Sequence, residues 1–397
     1  MIRLRAASFV LALPLAASLL VIPPAQATDS ETSSPANAMA QASPLSVGEY
    51  RRLLREYQEA RAAFEEQASA YWNAIAEKRR GRNAKRREHI PIALDDYVLT
   101  QPPSYTGPRR PVNPEPESEP EAKPRQVKPI PVAGDLVRAA NDHFQWSPQK
   151  PVSEIEFKRA YARYAQAAGL TREQAVRVYS FETGGTGNYD VQAGIEHGGK
   201  RAISTAMGYN QLLTTNSVEL LAEQGPEFVK ELTAKAAGLS GVPRQVMDRK
   251  IAVLKKMVDY ARSVPDDWSA HQKLADTPQG WALHAMVLDI DVGPMLQTHK
   301  LLTSVIFART KGYTRPLSAA ELEMMNLTGD GTGLDMVTMP QAMREQVPTS
   351  NFFQRSGYER NPVAIRHNTV AKLLAITDNR MDSNSNLPGA RELASAF

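Results

Sequence analysis

From Gln101 to Pro131 the chain is dense in Pro, Glu, Lys and Arg. A stretch of that composition cannot bury a core and acts as a semi-stiff spacer. The residues before it and after it must therefore fold as separate units. The chain has no Cys, so neither unit can be closed by a disulfide, and stability must come from packing alone.

Ahead of the spacer, Arg3 and Arg5 precede an apolar run from Phe9 to Ile22, and Ala25-Gln26-Ala27 forms a small-x-small site. That pattern predicts a secretory signal peptide over 1–27, cut before Thr28. The competing reading, a membrane anchor, is disfavoured by the shortness of the run and its flanks. Residues 28–45 are rich in Ser, Thr, Ala and Pro, and are expected to be disordered. No later stretch is apolar for long enough to span a bilayer. The expected location is the periplasm or the exterior.

Residues 46–100 read as a helical arm. Tyr50, Leu53, Leu54, Tyr57, Ala60 and Phe64 recur at three- and four-residue steps, followed by Ala68, Tyr71, Trp72 and Ile75. Such a stripe wants cover from the folded domain, from a protein partner or from a second copy. The helix ends in a basic run, Lys78 to Arg87. A solvated helix end helped by the dipole is the simpler account, and docking on an anionic polymer or lipid surface is the alternative. The apolar patch in His89–Thr100 reads as a tether, and Pro-Pro-Ser-Tyr at 102–105 as part of the spacer.

Beyond the spacer, residues 132–378 are patterned for helices almost throughout. Glu154–Ala168, Asn216–Ala237 and Arg244–Val264 are amphipathic. Gly280–Phe307 is more apolar and reads as a buried helix pair broken at Gly293-Pro294. Strand patterns are scarce apart from a possible hairpin near 186–205. The fold class is mainly α, and the tail 379–397 is expected to be disordered. The net charge of +4 is small for 397 residues, although the pI is about 9.1. It fits an anionic cell envelope, while an exported chain with no recognition motif argues against nucleic acid.

One carboxylate stands out. Thr171-Arg172-Glu173-Gln174 has the form of a capping box, and Gly184-Gly185 supplies the backbone that ends a helix. Glu182 then lies in the last turn, on the same face as Ala175, Val178 and Tyr179. Desolvation there disfavours its charged form, and the negative end of the helix dipole pushes the same way. A carboxylic acid still protonated near neutral pH is what protonating a glycosidic oxygen requires. Some twenty residues on, Ser204 to Gln211 ends in Gly208-Tyr209-Asn210-Gln211. Gly208 allows close backbone approach, and Gln211 offers both a donor and an acceptor.

Glu182-Thr183 at a helix end, followed by Ala206-x-Gly208-x-x-Gln211, resembles the Slt-type lytic transglycosylases and the wider lysozyme-like superfamily. Glu-Thr-Gly-Gly also resembles goose-lysozyme-like relatives. The resemblance covers roughly 150–380 and is sharp around 180–213, with Tyr209 and Asn210 departing from the usual Leu and Met. It implies a lysozyme-like domain in which Glu182 is the sole acid/base. Thr183, Ser204, Gly208, Tyr209 and Gln211 would line a sugar cleft. Asn326, after Met325, would stand for the Asn of a third motif whose usual Tyr is missing. The implied activity is exported cleavage of peptidoglycan glycan strands at the MurNAc–GlcNAc β-1,4 bond, leaving 1,6-anhydro ends, with no cofactor.

Competing chemistry is weaker. No metal-ligand spacing such as His-Glu-x-x-His is present, and His284 and His299 read as packing residues. The run Asn326–Asp335 hints at a calcium loop but has Val337 where an EF-hand needs an acid. A hydrolase would need a second carboxylate, and the candidates are Asp190, Glu196, Asp289 and Asp291. A muramidase-type hydrolase and a non-catalytic murein-binding scaffold are the alternatives.

Overall fold

The computed structural model describes residues 44–114, 130–195 and 201–397. The signal peptide, most of the Ser/Thr/Ala/Pro segment, the centre of the spacer and Glu196 lie outside the described residues. The chain divides at the spacer into two compact units.

The arm unit is one long helix, α1 (Pro44–Arg87), and a return segment. After a 3-10 turn at Leu94–Asp96 the chain runs back along the helix. Tyr71 donates its hydroxyl to the Thr100 carbonyl at 2.9 Å. Tyr105 sets its ring edge-on to Tyr57 and Phe64, at 6.3 and 5.4 Å. Residues 89–100 do tether, and the surface they hold is their own helix. Residues 101–114 are not free spacer, because Tyr105 covers the apolar stripe. The basic end is partly turned inward. Arg82, 1 % exposed, lies beneath the Tyr97 ring at 4.3 Å and donates to the Asp96 carbonyl at 2.9 Å. Lys85 pairs with Asp96 at 2.7 Å.

The second unit is helical, and among its described residues β structure is limited to isolated bridges. The 186–205 hairpin is reduced to a bridge between Gln192 and Met207. The helices are α2 (Ala133–Phe144), α3 (Glu154–Ala167), α4 (Arg172–Glu182), α5 (Thr214–Ala237), α6 (Gly241–Ala261), α7 (Trp268–Ala275) and α8 (Pro278–His284). They continue as α9 (Val292–Thr310), α10 (Ala319–Thr328), α11 (Asp330–Thr338), three short helices up to Arg366, then two C-terminal helices. Helices α5 and α6 pack side by side, with Gly225 so close to Val258 that a Cβ would sit 2.3 Å from its Cγ2. Leu221, Phe228, Leu254, Met257, Leu283, Met286, Val287 and Leu296 fill one contiguous core. No helix among the described residues is long and apolar enough to cross a membrane.

Three expectations change. The apolar pair 280–307 does not break at Gly293-Pro294. The break falls at Asp289–Asp291, and Pro294 sits in the first turn of α9, where a missing N–H costs nothing. Asp289 makes that break. Its carboxylate accepts from the backbone N–H of Gln149, Asp291 and Val292 at 2.9, 2.9 and 3.1 Å. It also pairs with the buried Lys250 at 2.9 Å.

The tail is ordered as well. Two helices, Val370–Ser385 (α15) and Pro388–Ala396 (α16), occupy the segment assigned to disorder. Its composition is polar because it spends those groups on α4, and Met381, Ala390 and Leu393 are buried. Finally, the Asn326–Asp335 run that hinted at a calcium loop is helical on both sides of Gly329. Only Gly329, at φ 84°, separates α10 from α11. Gly333 instead allows close packing, since a Cβ there would lie 2.4 Å from the Met325 Cα.

Candidate functional site

Helix α4 begins with the expected capping box. Thr171 and Gln174 exchange side-chain-to-backbone hydrogen bonds of 3.0 and 3.1 Å. Ala175, Val178 and Tyr179 are buried, and Glu182 is the helix's last residue. Gly184 and Gly185 follow at φ 65° and 75°, in the left-handed region. The reason for Gly185 lies in the tail. A Cβ there would meet the Asn384 carbonyl at 2.3 Å. Ala390 donates its N–H to the Gly185 carbonyl at 3.1 Å, and Asn384 Nδ2 to the Ser180 carbonyl at 3.0 Å. Arg177 pairs with Asp378 at 2.7 Å and also with Asp382. The C-terminal helices clamp the turn that ends at Glu182.

Glu182 is half-buried as a residue. Burial raises its pKa from 4.5 to about 7, against the opposing pull of Lys300 and of a hydrogen bond from Asn326. That bond runs from Asn326 Nδ2 to Glu182 Oε1 at 3.1 Å. Two segments 144 residues apart thus meet at one carboxylate.

The second motif is placed differently. Gly208, at φ 79°, approaches protein and not open space. A Cβ there would lie 2.1 Å from Gln297 Nε2. Gln297 is buried and holds the turn, accepting from the Asn210 N–H at 2.8 Å and donating to the Met207 carbonyl at 3.1 Å. Asn210 Nδ2 donates to the Gln297 carbonyl at 2.7 Å. Tyr209 is 0 % exposed, its ring among Phe157, Tyr161 and Tyr179 and its hydroxyl on the Glu154 carboxylate. Gln211 turns its amide back onto the Gly208 carbonyl at 2.9 Å. Thr183 donates its hydroxyl to the Tyr179 carbonyl at 2.8 Å, and the Ser204 hydroxyl accepts from the Ala206 N–H at 3.1 Å. Of the residues expected around Glu182, the structure brings Asn326 onto its carboxylate. The Gly208–Gln211 turn spends its polar groups on holding itself in the core.

Four further groups face this region. Lys300 on α9 stands within electrostatic reach of Glu182, Glu219, Asp330 and Glu323, and burial lowers its pKa. Glu219 on α5 is raised to about 7, first by burial and then by its neighbour Glu223. Glu323 on α10 is buried and raised well above the usual carboxylate range, by burial and by Glu182. Asp330, which accepts from the Ser304 hydroxyl, is raised by burial. The sequence does carry a signal for Glu323, a lone acid in the apolar run Leu322–Leu327. Glu219 and Glu223 carry none beyond their i,i+4 spacing on one helix face.

The residues considered for a second carboxylate fall elsewhere. Asp289 and Asp291 belong to the Lys250 cluster, with Lys235 at 2.5 Å from Asp291. Asp190 lies in the loop after Gly187 and enters none of these contacts. His284 is a core residue, bonded to the Ser217 hydroxyl at 2.7 Å and the Thr205 carbonyl at 2.9 Å, and pushed down to about 4 by burial. His299 packs against Phe228 and Tyr164 and is likewise pushed down to about 4. Among the described residues no cluster of His, Asp and Glu could hold a metal. A concavity of about 470 Å³ lies apart from Glu182, between Gln149, Arg163, Lys235, Val242, Val246 and Asp291.

The arrangement is a recessed carboxyl that carries a proton near neutral pH, held by an amide, with a recessed ammonium and a second such carboxyl beyond it. It can deliver a proton and take one back. No family model, curated protein or solved structure matches the chain.

Proposed function

We propose that the chain is an exported enzyme that cleaves peptidoglycan glycan strands with Glu182 as general acid, by the lytic transglycosylase route. Glu182 protonates the bridging oxygen of the MurNAc–GlcNAc bond. The substrate's N-acetyl group stabilises the developing cation. The carboxylate left behind draws the proton from the C6 hydroxyl as that oxygen closes a 1,6-anhydro ring, so no water is consumed. The observation that carries this is the state of Glu182. It is half-buried and raised to about 7, with Asn326 fixing one oxygen. A general acid works best when its pKa lies near the operating pH.

Glu219 supports a second reading. It is a second carboxyl facing the same Lys300, and a hydrolase uses the ionised form of such a group to activate water. Mass analysis of products from purified sacculi separates the two. Anhydro ends support the transglycosylase, reducing ends support the hydrolase, and no release leaves a murein-binding scaffold.

A further inference from the structure

Glu323 plays no part in that mechanism, yet it is among the most unusual side chains of the domain. It is 1 % exposed, on a helix whose ten residues are all buried. No ion pair to it is present among the described residues, and its Oε2 has no hydrogen-bond partner. A carboxylate stripped of water and left unpaired is far costlier than the neutral acid. The charged groups facing it are Glu182 from α4 and Lys300 from α9. Glu182 opposes a charge there, and Lys300 is shared among four acids.

Its polar neighbour is Asn326, one turn on along α10, whose amide pulls the Glu323 pKa down against the larger effect of burial. The same Asn326 amide holds Glu182 Oε1. Asn326 Oδ1 is a second orphan, buried and without a donor. A proton on Glu323 turns an acceptor that lacks a donor into a donor, and Asn326 Oδ1 is an acceptor in need of one.

We propose that Glu323 is a positioning residue that remains a neutral carboxylic acid through the working range and, by bonding Asn326, fixes the amide that orients Glu182. The catalytic half of this rests on Glu182 being the general acid, while the protonation half does not. Side-chain infrared spectra test the protonation directly on the full chain. At about pH 9, well above the ordinary carboxyl range, the C=O band of a protonated carboxyl should remain in the wild type and in Glu182→Gln. It should vanish in Glu323→Gln. A wild type without the band, or a band that survives Glu323→Gln, overturns the proposal.

Kinetics on sacculi test the positioning. Glu323→Gln supplies a neutral donor and acceptor, and should keep kcat within about 3-fold and leave the alkaline limb in place. Glu323→Leu has no bond to offer Asn326, and should lower kcat about 10-fold or more at unchanged KM. An alkaline limb displaced in Glu323→Gln would mean that Glu323 ionises in the working enzyme. A Glu323→Leu enzyme with wild-type kcat would mean that Asn326 needs no second anchor. Either result sinks the positioning role. Should Glu182→Gln prove as active as the wild type, the assignment of the acid fails, and the infrared result still stands by itself.

Discussion

Glu182→Gln should make the domain more stable at alkaline pH while abolishing its chemistry. The carboxyl titrates at 4.5 when exposed and about 7 in the fold, so the folded state binds its proton more tightly than the unfolded state. The resulting stabilisation is complete below 4.5, is lost as pH rises, and is gone above about 7. A displacement of that size corresponds to at most about 3 kcal/mol. The residue is only half-buried and a cation is nearby, so about 1–2 kcal/mol is the realistic figure. Gln is uncharged at every pH and still accepts from Asn326. The difference in stability between variant and wild type should therefore widen from pH 4.5 to about 7 and level off beyond. In thermal melts this is about 2–6 °C in favour of Glu182→Gln at the alkaline plateau. Release of muropeptides from sacculi should fall by about two to four orders of magnitude over the same range. Parallel melting curves across pH would show that Glu182 is not desolvated, and near wild-type cleavage would show that it is not the acid.

Lys300→Met removes the cation that holds down Glu182 and Glu219, so the alkaline limb of the pH–rate profile should move upward while Lys300→Arg leaves it in place; an unmoved limb in Lys300→Met refutes the coupling. Gly208→Val drives a side chain into Gln297 at a positive φ and should cost about 2–4 kcal/mol in chemical denaturation, where a residue facing only ligand would cost little. Ending the chain after Asp378 removes Met381, Ala390 and Leu393 from the core and frees the Gly185 turn; circular dichroism should show a large loss of melting temperature, and an unchanged melt would make the tail dispensable. A chain beginning near Pro129 retains the whole second unit and should melt like the full protein and cleave soluble glycan fragments at its rate; insolubility or a sharp drop in melting temperature would show that the arm completes the core.

The mainly helical class and the end of α4 are legible in the sequence because they depend on local signals. Periodicity marks a helix, Thr171 with Gln174 marks its start, and Gly184-Gly185 marks its end. The return of the arm is half legible, since the apolar patch at 89–100 is visible but not the surface that Tyr97 and Tyr105 choose. The tail misleads because polar residues such as Asp378, Asp382 and Asn384 look solvated until their partners on α4 are known. The Gly208–Gln211 turn misleads for a related reason. A glycine at positive φ signals close approach, but not whether a ligand or Gln297 is what approaches. Lys300, Glu219 and Glu323 come together from three helices, and no window of sequence contains that meeting.

The same facts bear on why the site is built at a helix end that the C-terminus holds shut. A carboxyl raised to about 7 is partly charged at neutral pH, which weakens the fold there. A helix end free to fray would let Glu182 turn to water and regain its ordinary acidity. Fraying is opposed at four points outside the catalytic chemistry: Arg177 on Asp378, Asn384 on the Ser180 carbonyl, Ala390 on the Gly185 carbonyl, and Lys158 on Glu392 at 2.5 Å. Each joins α3, α4 or the turn after it to a residue of α15 or α16. The tail therefore does more than fill a gap in the core. By denying Glu182 a relaxed, solvated conformation, it would keep the proton on the carboxyl that the proposed mechanism needs protonated. A substitution that breaks one of these four bonds, such as Asn384→Ala, should show first as a fall in the pH at which cleavage of sacculi ceases.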